Sequence, residues 1–210
     1  MLTGQSTDLR LQLIEASGRL VRTRGVAALT TREIAREAGC SDGALYKHFP
    51  SKSDLLMAYC QECLPDLRGQ IGDLTSRVGS GTVQGNLEEL IRATQAFMAE
   101  VVPIITAVAA DHELRMRHRS RFAGEVIPPR RTVEALAGYI AAEQRIGRVA
   151  ASVVPQVFAA MLAGACMSAA TVEYVFGDSG HGLAAEQYAR ELASALWAGM
   201  APRKEEGQHE

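Results

Sequence analysis

The sequence has no excess of positive charge: 22 Lys and Arg stand against 24 Asp and Glu, a formal net charge of −2. Nothing global therefore marks the chain for a polyanion. Its four cysteines, Cys40, Cys60, Cys63 and Cys166, are too few in 210 residues for a disulfide framework. No basic-then-apolar leader opens it, so no secretory signal is expected and a cytoplasmic protein is. No strand-like alternation and no internal repeat stand out. There is no glycine-rich phosphate loop and no nucleophile set beside a base, so no catalysis and no cofactor are expected. One run, 153–172 (VVPQVFAAMLAGACMSAATV), carries no charge. It holds Pro155, Gln156, Ser168 and Thr171 and is built on Ala rather than Leu or Ile. It reads as a helix buried on several sides, not a membrane span.

What is present is helical periodicity nearly throughout, which makes the fold class all-α. Residues 7–24 place Leu9, Leu13, Ile14, Leu20 and Val21 at helical spacing, and Gly25 follows as a stop. Thr30 with Glu33 is a capping box, opening a short helix that ends at Gly39. Ser41 caps the next, over 42–48, and Ser51 caps a fourth over 51–78. Pro65 lies inside that fourth stripe and predicts a kink, which either serves as a flexing point for a signal along the helix or only bends it around the core. The run 79–86 (GSGTVQGN) is a loop. Further helices are expected over 86–101, 104–120, 128–146, 153–176 and 183–200, with Ser152 as a cap. The tail 203–210 is polar.

A helix, a glycine turn and a second short helix is the helix-turn-helix arrangement, in which the second helix enters the DNA major groove. On a helical wheel Leu45 and Phe49 point to a core, while Asp42, Gly43, Tyr46 and Lys47 point outward. Small residues at the start let the backbone approach base edges, and the Tyr and Lys reach phosphates. Lys52 is expected to add a cation at the start of the next helix. The local charge agrees: residues 1–54 hold eight Lys and Arg against six Asp and Glu. Asp42 is the discordant group, since a carboxylate near phosphate is unfavourable unless it accepts from cytosine or orients a neighbour.

The segment 25–56 (GVAALTTREIAREAGCSDGALYKHFPSKSDLL) resembles the N-terminal domain of TetR-family transcriptional regulators. Its Gly, Thr, Ile-Ala, Ala-Gly, Leu-Tyr-x-His-Phe, Ser-Lys and Leu-Leu positions match nearly without a break; Cys40 stands where the family usually has a larger aliphatic residue. The resemblance implies about nine helices: a DNA-binding domain over 1–52, a helical effector-binding and dimerisation domain over 53–202, and the tail. It also implies a homodimer on a double-stranded DNA operator, most often a repressor, released by a small-molecule effector. By the same resemblance Thr30, Thr31 and Arg32 begin a helix that contacts phosphate. Ser41, Asp42, Gly43, Ala44 and Lys47 lie at base or groove positions, and Tyr46, His48 and Lys52 at backbone positions. The last two helices would pair with their twins.

Candidates for an apolar effector cavity are Phe97, Met98, Ile105, Met116, Tyr139, Met161 and Tyr174. Other groupings have plainer readings. Cys60 and Cys63 form a CxxC on the apolar stripe of a helix and read as buried thiols. His112 and His118 with Asp111 and Glu113 lie among Arg115, Arg117, Arg119 and Arg121, a charged surface helix rather than a metal site. Two rival functions remain: a helical enzyme using His112 or His181 as acid or base, and a nonspecific DNA-binding protein, which would be more basic than this chain.

Overall fold

The computed structural model describes residues 3–26, 28–121 and 128–202. Side chains at 3–7, 61–68, 70, 71, 75, 113, 114, 118, 121, 128 and 129 are outside that description. The expectations on Cys63, the Pro65 ring, Glu113, His118, Arg121 and the tail 203–210 therefore fall outside the described residues. Among the described residues there are nine helices and no strand: α1 Thr3–Arg24, α2 Thr31–Glu37, α3 Asp42–His48, α4 Lys52–Ser76, α5 Val83–Ala110, α6 His112–Arg121, α7 Pro128–Arg145, α8 Pro155–Phe176 and α9 Ala185–Met200.

Local chemistry sets most boundaries. The Thr30 side chain accepts from Glu33 N while Glu33 accepts from Thr30 N, closing the capping box at the start of α2. Ser41 Oγ accepts from Ala44 N at 3.2 Å and opens α3. Between them Gly39 turns at φ +69°, a conformation costly for any residue with a Cβ. Ser51 and Asp54 bond one another at the start of α4: Asp54 N donates to Ser51 Oγ at 3.2 Å and that hydroxyl donates to Asp54 Oδ2 at 2.7 Å.

The loop expected over 79–86 is shorter, since α5 starts at Val83, and two further boundaries differ from the sequence-based expectation. The helices expected over 86–101 and 104–120 divide elsewhere: α5 runs through Pro103, and the break comes at Asp111. Proline removes one hydrogen bond and crowds the preceding turn, about 3 kcal/mol. Val101, Val102 and Ile104, next to it, are 4%, 1% and 0% exposed. Burying each contributes roughly 1.5–3 kcal/mol, so continuity wins. At the second boundary Ser152 is not the cap of α8. Val154 occupies that position without a side-chain bond and Pro155 follows at the first helical turn. A ring that fixes φ and lacks an N–H suits that place.

The chain divides into two compact units, Met1–Pro65 with Phe97–Glu125, and Asp66–Ala96 with Val126–Glu210. In the first, Leu13, Ile14, Leu20, Ile34, Leu45, Phe49, Leu55 and Leu56 form one apolar core with Val101, Ile104 and Val108 of α5. In the second, α7 packs on α8 and α8 meets α9. Here α8 departs from expectation. It buries a single face, Ala159, Leu162 and Cys166, and leaves Val157, Met161, Tyr174, Val175 and Phe176 exposed. Its neighbours within one chain cover one side only. By length and composition α5 and α8 are long and apolar enough to cross a membrane; α5 lines the buried cores with Leu87, Leu90, Ile91, Val102 and Ile104.

Candidate nucleic-acid interface

Leu45 is fully buried and Phe49 nearly so, and these two anchors fix the rotation of α3. The opposite side of the helix is thereby turned outward: Gly43, Tyr46 and Lys47 are exposed, while Asp42 and Ala44 are half-buried. α2 packs on both α1 and α3, inserting Ile34 and Ala35. Ser41 caps α3 from an exposed position and Thr30 caps α2 likewise. Arg24 reaches back to Glu33 at 3.0 Å and Arg19 to Glu37 at 3.0 Å, so both carboxylates of α2 carry a countercharge. The two bonds from Thr30 hold the Glu33 carboxyl below the usual glutamate range.

Two cross-helix pairs join the outward sides of α2 and α3. Thr31 Oγ1 and Tyr46 Oη share a hydrogen bond at 3.1 Å. Arg32 Nε lies 3.5 Å from Asp42 Oδ2. The Arg32 side chain is 87% exposed even so, leaving most of its guanidinium free to meet another anion. Asp42, the discordant carboxylate of the sequence, thus carries its own countercharge. A Cβ placed on Gly43 would meet no atom closer than Ser41 Oγ at 4.0 Å, so backbone is open to solvent at that point. Lys47 and His48 follow in the last turn of α3.

Lys52 has a different setting from the rest. Its ammonium donates to Val26 O at 3.0 Å and Leu29 O at 2.7 Å, pinning the α1–α2 connection to the start of α4. Burial pushes its pKa below the ordinary lysine value. Two of its three protons are therefore committed inside the protein, although the sequence placed Lys52 at a DNA-backbone position. Neither this nor the Arg32–Asp42 pair leaves a sequence signal. Both span connections where spacing along the chain says nothing about distance.

Of the effector candidates, Phe97, Met98, Ile105 and Met116 fall in the first unit, and Tyr139, Met161 and Tyr174 in the second. Phe97 packs against the first core. Tyr139 is wholly buried and accepts from Asn86 Nδ2 at 3.0 Å; burial pushes its phenol up to about 12. Ile105, Met116, Met161 and Tyr174 are exposed. His112 Nδ1 faces Arg115 at 3.1 Å, and His181 stacks on Tyr188 with ring centroids 4.0 Å apart. Cys60 is buried, as expected of a thiol on the stripe.

Comparison with known proteins bears on the same segment. Residues 13–59 match the family described as bacterial regulatory proteins, tetR family. The chain is 43% identical over 54 residues to the HTH-type transcriptional regulator TtgR of Pseudomonas putida, 26% of each chain. It is 27% identical over 124 residues to the HTH-type transcriptional repressor KstR2 of Mycobacterium tuberculosis, 58% of this chain and 60% of that one. The matched stretches span between 17% and 60% of the curated relatives' own length. Over the whole fold, a TetR transcription regulator from Haloarcula marismortui superposes with a TM-score of 0.68 at 20% identity, covering 93% of this chain and 99% of that one.

Proposed function

From a chain that belongs, through residues 13–59, to the tetR family of bacterial regulatory proteins, we propose a sequence-specific DNA-binding regulator of transcription, a repressor released from its operator by a small molecule. The observation that carries this reading is the joined outward side of α2 and α3. Thr31 with Tyr46 and Arg32 with Asp42 make one exposed polar surface over the apolar anchors Leu45 and Phe49. α3 enters the major groove. Asp42, Gly43 and Ala44 meet base edges, with Ser41 at their margin, while Thr30, Thr31, Arg32, Tyr46, Lys47 and His48 serve the backbone. Lys52 acts from behind, holding the α1–α2 connection in place.

The protein works as a homodimer in the cytoplasm. One seven-residue reading helix contacts too few bases for an address, and two-fold symmetry doubles the site. The exposed apolar side of α8 supplies the seam: Val157, Met161 and Val175 alternate there with Ala160, Gly164 and Ser168, small enough to let a second helix approach closely. Such a composition suits a protein partner better than lipid. The effector enters the helical body outside 1–52.

The experiment is selection of bound duplexes from a random pool by the full-length protein. The reading expects a two-fold symmetric consensus, its half-sites one helical turn or a multiple apart, roughly 34–36 Å per turn. A pool that stays random after repeated rounds overturns it.

A further inference from the structure

Asp42 is the one acidic group on the outward side of the reading helix, and its chemistry narrows what that helix can read. Its carboxylate can only accept hydrogen bonds. In the major groove the only base-edge donors are the amino groups of cytosine and adenine; guanine and thymine offer acceptors at the corresponding edges. A carboxylate held there attracts the first pair and repels the second. What would normally forbid such a group is the surrounding phosphate charge. Arg32 answers that cost, standing 3.5 Å from Asp42 Oδ2 across the turn. Among the described residues no donor is bonded to Oδ1. The neighbour on the helix is Gly43, where nothing but Ser41 Oγ lies within 4.0 Å of a would-be Cβ. The helix start can therefore come close enough for a short side chain to touch a base. Adenine is the weaker fit, since its amino group adjoins the N7 acceptor, which a carboxylate repels.

Resting on the reading of α3 as a major-groove helix, we infer that Asp42 selects a cytosine at one position of each half-site, and that Arg32 is the positioning residue that makes the carboxylate tolerable there. Arg32 keeps its exposed guanidinium edge for the flanking phosphate. The pair works as a unit: the acid carries the sequence information and the base carries the affinity.

The experiment uses the full-length protein and the selected operator, with all four base pairs placed in turn at each half-site position. The wild type is expected to lose roughly tenfold or more on replacing one cytosine. Asp42→Asn gains a donor and should shift preference there toward adenine, with the other positions unchanged. Arg32→Ala should weaken selected and random duplexes alike while the cytosine preference persists. With unaltered protein, an operator carrying 2-pyrimidinone for that cytosine, which lacks the exocyclic amine, should bind as weakly as the wrong base. The inference is overturned if Asp42→Asn returns the wild-type preference at every position, or if the amine can be removed without loss. A wild-type protein with no preferred duplex at all would instead overturn the functional reading beneath it.

Discussion

The ring of Tyr59 presses against Gly18: a Cβ built on Gly18 would stand 2.3 Å from Tyr59 Cε2. Only the Tyr59 ring separates α4 from the backbone of α1 there. The Tyr59 hydroxyl donates to Glu100 Oε2 of α5, and Arg22 of α1 donates to both that hydroxyl and that carboxylate at 3.0 Å. Three helices are thus fastened at one point. α4 and α5 are also the two helices that begin in one compact unit and end in the other.

Gly18→Ala should therefore destabilise, although alanine favours a helix by about 1 kcal/mol. The ring is nearly buried and tied through its hydroxyl, so it has little freedom to withdraw. Overpacking of this kind costs about 1–3 kcal/mol. Chemical denaturation checks the sign; a variant more stable than the wild type would show that Tyr59 moves away freely.

Lys52→Met and Lys47→Ala should part company. The first leaves the carbonyls of Val26 and Leu29 without their donor, a loss of about 1–3 kcal/mol of stability, with the salt dependence of DNA binding little changed. The second removes an exposed cation and should lower the salt slope by about one while leaving the melting temperature alone. Titrations at several salt concentrations, beside thermal melts, separate the two.

These residues show what the sequence could and could not disclose. Thr30, Glu33, Gly39 and Ser41 act on backbone within three or four positions, so the helix-turn-helix was legible from spacing alone. Pro103 misled because a local rule met a tertiary force: the buried valines and isoleucine around it outweigh one lost hydrogen bond. The partners of Lys52, Asp42 and Gly18 are set by how helices cross. No periodicity encodes that, and the apolar candidates from Phe97 to Tyr174 were scattered over both units for the same reason.

Acid should loosen α2 through its cap. The Glu33 carboxyl is held below its ordinary value of 4.5, chiefly by the Thr30 hydroxyl and then by the Thr30 backbone N–H. A lowered carboxyl contributes stability that is fully present above the unfolded value and lost as pH falls through the folded one. Stability measured from pH 6 down to pH 3 should fall less steeply in Glu33→Gln than in the wild type. Parallel curves would remove Glu33 from the account of acid sensitivity.

Arg148→Met should cost more than Glu143→Gln. Glu143 is wholly buried, with Arg148 Nε 3.4 Å from Oε2 and Gly79 N donating to Oε1 at 3.2 Å. Arg148 also donates to Gly81 O at 2.7 Å, so both ends of the pair hold the α4–α5 connection. Removing the cation strands a buried carboxylate, about 3–5 kcal/mol. Neutralising the acid leaves no such charge. Denaturation midpoints of the two variants give the comparison, and equal losses would contradict the role given to Arg148.

Met161→Glu places a charge on the exposed apolar side of α8, where Met161 is 53% accessible in the single chain. Sedimentation should find the wild type dimeric and the variant largely monomeric, with little change in helix content by circular dichroism. A variant that stays dimeric would put the seam elsewhere.

The central claim is that the surface made by α2 and α3 reads sequence. Its most direct test is equilibrium binding of the full-length protein, at one fixed salt concentration, to the selected duplex and to a scrambled duplex of the same composition. A preference of about a thousandfold or more for the selected duplex is expected; equal affinity for the two would mean that this surface does not read sequence.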